Sequence, residues 1–504
     1  MASSNTTIAK NTMILYVKML VSLVISLYTS RVILEILGQD DFGIYNVVGG
    51  VVVLFSFLTN AMTASTQRFL NYNLGLKEEN KVSQIFSTSI LAHITILFAV
   101  FVLAETIGLW FVTNHLNIPA SRYHAAMWVY QMSVLATLIN IIVIPYRASI
   151  IATERMSIFA YISILEVVLK LVIVLVLPYS SIDRLILYSI LFSGISLLSF
   201  FIYLGTCHKK IAFTHFHFVW NKKQYYELMS FSGWYLFGGI AVVGAKQGTN
   251  ILINIFFNVA VNAAVGIANQ VRNAIYGFVS SFQTAFNPQI VKLYASNEHE
   301  KLMTLIYRST KFSYYLLFLL SFPVILYCEE ILSIWLVEVP QHTVIFTQLV
   351  IITSFTEALS APLWTAIGAT GKVKKYQFFV SLIILLDIPL LYIALKLGCK
   401  PDVAFWINLW ISIVAYVYRL FYIRRYIQYK IFTYIKEVIS PCFIVTILSF
   451  VISYAIKEDN ESIVYTIVSI MIAITSISVI IFFIGLNKLE RKYLLDFFKR
   501  RVQL

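Results

Sequence analysis

The sequence predicts an all-α integral membrane protein with fourteen transmembrane helices. The first reason is composition: 59% of the 504 residues are hydrophobic and only 12% are charged, with a mean hydropathy of +0.81. A soluble chain of this size needs more polar surface than that. The second is spacing, because fourteen apolar runs each supply the roughly 20 residues that a helix needs to cross a hydrocarbon core of about 30 Å. The third is repetition, since the chain is written twice.

In order, the spans fall at 12–37, 42–69, 85–112, 123–145, 157–178 and 184–205 in a first half. A second half holds 228–256, 261–287, 303–328, 343–369, 376–397 and 402–424, and two further spans follow at 437–456 and 462–485. The first twelve residues are polar and no small-residue cleavage site follows the first apolar run, so that run is expected to be retained. Domains are expected at 1–206 (first lobe), 207–226 (basic linker), 227–425 (second lobe) and 426–504 (extra spans and basic tail).

Orientation follows from Lys and Arg. With a cytoplasmic N-terminus, the inner segments hold 28 of the 38 basic residues and the outer loops five, Arg122, Arg184, Lys396, Lys400 and Lys457. Both termini are then cytoplasmic. The net charge of +14 follows from orientation and anionic headgroups, and nucleic acid need not be invoked. Cys207, Cys328, Cys399 and Cys442 are scattered without metal-ligand spacing and read as packing residues.

The halves align at three places. Residues 145–156 match 362–373 without a gap, each copy beginning on a proline within a span. Residues 105–112 match 330–337 around Trp110 and Trp335, with Pro119 and Pro340 following. Residues 71–86 match 291–306 as amphipathic, Lys- and Glu-bearing stretches. Six spans per half is an even number, so the copies enter the membrane in the same direction, and such parallel repeats place a substrate site between two lobes.

Polar stripes mark faces expected to look into that cleft. Lys18, Ser22, Ser26 and Thr29 recur at helical spacing in the first span. Lys246, Asn250 and Asn254 do so in the seventh, and Asn269, Arg272, Tyr276 and Ser280 in the eighth. A cation at membrane depth is costly unless it faces a partner or water, so Lys18, Arg31, Lys246 and Arg272 read as substrate contacts and point to an anionic cargo. Lys246 and Arg272 have no carboxylate at i±3 or i±4 and lie at similar depth. Lys18 has a competing role as a residue that snorkels to the inner surface. For Arg31 the competitor is a local pair with Glu35, and Lys170 is neutralised most economically by Glu166. Glu357 and Asp387 are acids without local partners, read either as carriers of H⁺ or Na⁺ or as structural acids near Pro362 and Pro389; Glu166 joins them as an ion-coupling candidate.

With the segment Arg31 to Tyr45, the Trp335 and Pro340 segment, Pro145 to Thr153 and the twelve-plus-two span plan, the chain resembles the multidrug/oligosaccharidyl-lipid/polysaccharide (MOP) flippase superfamily, in its Wzx-like polysaccharide branch. The resemblance implies a MATE-like fold of two six-helix lobes. It implies a flippase that moves undecaprenyl-pyrophosphate-linked oligosaccharide to the outer leaflet of a bacterial inner membrane for O-antigen, capsule or exopolysaccharide synthesis. It also implies membrane lipids, a polysaccharide polymerase and glycosyltransferases as partners, no cofactor, and coupling to H⁺ or Na⁺. A MATE-type, cation-coupled exporter of small amphipathic drugs is the alternative, though cationic drugs would call for acidic rather than basic cavity residues. A membrane polymerase or glycosyltransferase ranks below both, because the longest outer loop is about fourteen residues and no acid pair, His cluster or nucleotide-binding glycine motif is present.

Overall fold

The computed structural model describes residues 2–53, 56–116, 118–218, 220–257, 259–336, 339–427, 429–456, 463–492 and 495. All the regular elements among them are helices: α1 Ala2–Val53, α2 Ser56–Gly75, α3 Glu79–Leu103, α4 Leu109–His115, α5 Tyr123–Ala152, α6 Met156–Val176, α7 Arg184–Lys210, α8 Lys222–Phe256, α9 Val259–Ala295, α10 His299–Leu326, α11 Cys328–Trp335, α12 Thr343–Ala369, α13 Lys374–Leu385, α14 Asp387–Lys396, α15 Val403–Ile423, α16 Ile431–Tyr434, α17 Ser440–Ile456 and α18 Ile463–Ile480, with short 3₁₀ and π turns between some of them. Backbone groups in a hydrocarbon layer must bond within their own segment, which is why helices carry this chain.

Twelve helical segments among the described residues are long and apolar enough to cross a membrane. The chain is therefore a multi-pass membrane protein. Of the fourteen expected spans, 42–69 runs through residues 54 and 55, which lie outside the described residues, and 261–287 falls on α9. In α9, Asn262, Asn269, Arg272 and Gln283 lower the apolar content.

The boundary expected between the first two spans is real and has a backbone cause. Gly38 adopts φ 79°, ψ 171°, breaking the helix between Leu37 and Gln39. This region of backbone space is essentially reserved for glycine.

The chain forms two compact units, one of residues 1–240 and 284–297, the other of residues 241–283 and 298–504. In the first, α5 packs against α2, α3 and α7, and α1 lies along α6. Leu70, Phe86, Ile150 and Tyr203 form one buried cluster there, and Ile44, Val48, Val129 and Tyr130 another. Arg122 fastens three elements of this unit: its Nε donates to Asp41 Oδ1 at 2.7 Å and its guanidinium pairs with Asp183, which caps α7 by accepting from the amides of Leu185 and Ile186. Burial alone would push the Asp183 carboxyl up, but Arg122 and the α7 amides outweigh it and hold it below its ordinary value. In the second unit α12 takes the place of α5, packed between α10 and α15. There α17 and α18 lie on α10 through Phe318, Phe322, Cys442 and Ile477.

The sequence repeat reappears as matched geometry. Glu154, at φ 60°, and Gly371, at φ 74°, occupy corresponding positions and reverse the chain after α5 and α12. Their amides bond alike, Glu154 N to Ile151 O at 2.9 Å and Gly371 N to Gly368 O at 3.0 Å. Lys77 (φ 58°) and Asn297 (φ 57°) match in the same way after α2 and α9. The turns that follow carry the ion pairs Lys81–Glu78 and Lys301–Glu298.

Candidate functional site

The polar stripe of α1 puts Lys18 beside α6, with its ammonium 4.8 Å from the ring centroid of Phe159. Glu166 on α6 attracts it electrostatically, and Arg147 on α5 repels it. Tyr203 of α7 lies in the field of both Arg147 and Glu166 and bonds Ser163. Three helices thus gather Lys18, Arg147 and Glu166 in one electrostatic neighbourhood, beside Tyr203 of a fourth. Glu166 also attracts Lys170. These two do not form the expected close pair: no ion-pair contact joins them, and the Lys170 ammonium lies 4.8 Å from the Phe192 ring instead. An aromatic face can hold a cation in a dry site, so Lys170 does not need Glu166 to itself. Two lysines therefore draw on Glu166, and Arg147 adds a third positive charge beside Lys18. Ser22 Oγ, one turn beyond Lys18, is buried without a hydrogen-bond partner, whereas Thr29 spends its hydroxyl on Ile25 O at 2.7 Å. The Arg31 side chain lies outside the described residues, and with it the expected pair with Glu35.

Arg147 was missed by counting charges. It reads as an inner-segment residue, yet it precedes the end of α5 at Ala152 by five positions and so remains inside the helix. Helix continuation through Pro145 was the signal available. Its Nε is buried without a hydrogen-bond partner.

In the second unit Arg272 of α9 reaches α12. Its guanidinium pairs with Glu357, its Nε donates to Ser354 Oγ at 3.1 Å, and its Nη1 donates to Asn273 Oδ1 at 3.1 Å. Ser354 and Glu357 are one turn apart, so one face of α12 presents both to the arginine. Tyr276, one turn along α9, stacks under the guanidinium at 5.1 Å. The expectation that Arg272 lacks a carboxylate holds along its own helix and fails in space. Glu357 is corrected likewise: it is not a lone buried acid, for it is paired and its side chain is 43% exposed.

Lys246 on α8 is exposed and takes part in none of the ion pairs found among the described residues. Asn254 is exposed too, while Asn250 donates to Gln247 Oε1 at 2.9 Å and Asn269 to Val265 O at 2.9 Å. Asp387 is the acid that stays isolated. It is 1% exposed, accepts from Thr249 Oγ1 at 2.8 Å, and leaves Oδ1 without a hydrogen-bond partner. Beside it Ile388 lies so close to Gly248 that a Cβ there would sit 2.8 Å from Cδ1. Asp387 stands 217 positions after Lys170, the offset that relates residues 145–156 to 362–373. One repeat position thus carries a cation in the first half and an acid in the second.

No family model matches the sequence, and no curated protein matches it. Solved structures do. An outward-facing multidrug resistance MATE family transporter of the MOP superfamily superposes with a TM-score of 0.71 at 11% identity, over 84% of this chain and 95% of that one. A MATE in complex with MaD5 gives 0.71 at 10% identity, over 84% and 96%. The MATE transporter ClbM in complex with Rb⁺ gives 0.67 at 11% identity, over 84% and 95%. With its spans and its doubled helical plan, the chain is a multi-pass membrane protein with a MATE-like fold.

Proposed function

We propose that the chain is a fourteen-span, alternating-access flippase that carries undecaprenyl-pyrophosphate-linked oligosaccharide across the bacterial inner membrane, with both termini cytoplasmic. The observation that carries this reading is the excess of positive charge at membrane depth. Lys18 and Lys170 both draw on Glu166 while Arg147 repels Lys18, and Lys246 is exposed without an ion-pair partner among the described residues. Uncompensated cations are expensive there, and a diphosphate offsets them through charge-assisted hydrogen bonds. Arg272, already neutralised by Glu357, acts with Tyr276 as a polar wall and less as an anion ligand. Lys246 takes the diphosphate, and Asn250, Asn254 and Asn269 face the glycan; Lys18 is a separate candidate contact within the first unit. Coupling falls to Asp387, whose unpartnered oxygen beside the Thr249 hydroxyl suits a proton or Na⁺. Glu357 is occupied by its arginine, and Glu166 lies in the field of Lys18 and Lys170.

Complementation of a flippase-deletion strain tests this. Lys18→Gln with Lys246→Gln should abolish surface glycan at normal membrane protein levels, and Asp387→Asn should do the same. Normal glycan from the double variant would sink the anionic cargo.

A second reading is a cation-coupled drug exporter. Asp387 favours it, because a buried carboxylate can alternate between a coupling cation and a cationic drug. Asp387-dependent export of ethidium with no effect on surface glycan would select this reading.

A further inference from the structure

Several cations at the end of the helices that the basic bias assigns to the cytoplasm have acids of their own. Lys81 is held by Glu78, Lys292 by Glu154, Lys301 by Glu298, and Arg308 and Lys311 by Glu490. The second unit departs from this at the same end. Around the turn from α12 to α13 and the last turns of α15, Lys372, Lys375, Arg419, Arg424 and Arg425 take part in none of the ion pairs found among the described residues. Between Glu357 and Glu437 the sequence holds only Asp387 and Asp402 as acids. The first is buried beside Thr249, and the second lies at the opposite end of α15.

The cluster is held from behind by neutral groups. Arg419 Nε donates to Tyr376 OH at 2.8 Å and its Nη1 to Ser360 Oγ at 2.9 Å, which fixes the guanidinium and leaves its charge standing. Tyr422 OH donates to the carbonyl of Lys372 at 2.9 Å, and the Lys372 ammonium lies 5.1 Å from the Tyr426 ring centroid. The Tyr422 ring in turn packs 5.5 Å from Tyr376, 5.8 Å from Tyr418 and 5.3 Å from Tyr426. Arg425 is within electrostatic reach of Tyr418. One aromatic frame therefore carries the cations.

The same two helices continue outward as apolar surface. On α15, Trp410, Val414, Val417 and Phe421 are exposed at helical spacing, and Arg424 and Arg425 follow three and four residues after Phe421. On α13, Leu382 and Phe379 are exposed, and Lys375 stands four residues before Phe379. Each stripe is apolar along its length and cationic at one end. The helices pack together, with the Phe379 and Tyr418 rings 6.1 Å apart, so the stripes lie on neighbouring helices.

That pattern selects an occupant. A free anion satisfies the cations without using the stripes. A lipid with no net charge covers the stripes and brings a cation of its own to the basic end. A lipid with a net negative headgroup matches both parts, since its acyl chains lie along the stripes and its phosphate accepts charge-assisted hydrogen bonds from the exposed cations.

We propose that the paired stripes of α13 and α15 bind one anionic phospholipid of the surrounding membrane, its phosphate held by Lys375, Arg424 and Arg425 with Arg419 behind them. The site stands apart from the proposed cargo and does not depend on it.

Native mass spectrometry of the full chain released from detergent micelles tests this with phosphatidylglycerol and phosphatidylcholine of identical acyl chains. The wild type should retain phosphatidylglycerol in preference. Lys375→Gln, Arg424→Gln and Arg425→Gln change exposed side chains, and each should weaken that retention about fivefold. The triple variant should hold the two lipids equally; where it is not monodisperse, the single variants decide. Lys209→Gln, Lys210→Gln and Lys223→Gln together remove as many exposed lysine charges from the first unit and should leave the preference intact. An equal loss from that control would replace the site by a diffuse positive field. No preference in the wild type, or an unchanged preference after neutralising Lys375, Arg424 and Arg425, would overturn the proposal. Farnesyl pyrophosphate supplies the last arm: displacement of phosphatidylglycerol at lower concentration than phosphatidylglycerol itself would assign the site to a prenyl pyrophosphate and remove the phospholipid, and failure to displace it upholds the phospholipid.

Discussion

Arg272 of α9 and Glu357 of α12 form an ion pair across 85 residues of sequence, with Ser354 one turn from Glu357 taking the arginine Nε. The pair turns two apparent lone charges into one neutral wall. Removing one partner leaves the other uncompensated, so Arg272→Gln and Glu357→Gln should each lower the melting temperature and membrane level, and the double variant should recover most of the loss. Residues sharing a network show coupling of about 0.5–3 kcal/mol in a double-mutant cycle. Additive losses would show that the two side chains do not depend on each other.

Among the described residues Lys311 and Glu490 make the most enclosed ion pair, their side chains 5% and 3% exposed and Nζ–Oε2 2.6 Å apart. Glu490 also closes a reciprocal cap with Asn487, each backbone amide bonding the other's side chain at 2.9 Å. Glu490→Ala should therefore cost about 3–5 kcal/mol, as breaking a buried pair does. Replacing both by Met should restore much of it. A melting temperature unchanged in the single alanine variant would refute the anchoring role.

Gly38 is a conformational requirement, since no neighbouring atom lies within 4 Å of the place a Cβ would take and space is not the obstacle. Its φ of 79° with ψ of 171° is the obstacle. Gly38→Ala should cost about 1–3 kcal/mol, read as lowered thermal stability in detergent. An alanine variant as stable as the parent would show that the break can shift elsewhere.

Asp183 makes stability pH-dependent. Its folded pKa lies below the unfolded value, about 3.9. The stabilisation is therefore present above that value and is lost as pH falls through the folded pKa. Asp183→Asn keeps the cap but not the pair with Arg122, so its melting temperature should trail the wild type at pH 7 and the gap should close below about pH 4. A gap that stays constant to pH 3 would assign the loss to something other than ionisation.

Local periodicity and transfer free energy are legible in the residues alone. The apolar runs became helices because unpaired backbone is intolerable in hydrocarbon. The repeat placed Glu154 against Gly371 and Lys77 against Asn297 before their shared left-handed turns were seen. The break between the first two spans fell at Gly38 because the helix cannot continue through that backbone conformation. Tertiary structure alone decided which charges are spent. Glu357 lies far along the chain from Arg272, Phe192 rather than Glu166 holds Lys170, and Arg147 joins Lys18 from another helix. Whether a charge stays available for a ligand depends on Coulomb and hydrogen-bonding partners within a few ångströms, and side chains that close are brought together by helix packing, which spacing along one helix does not encode.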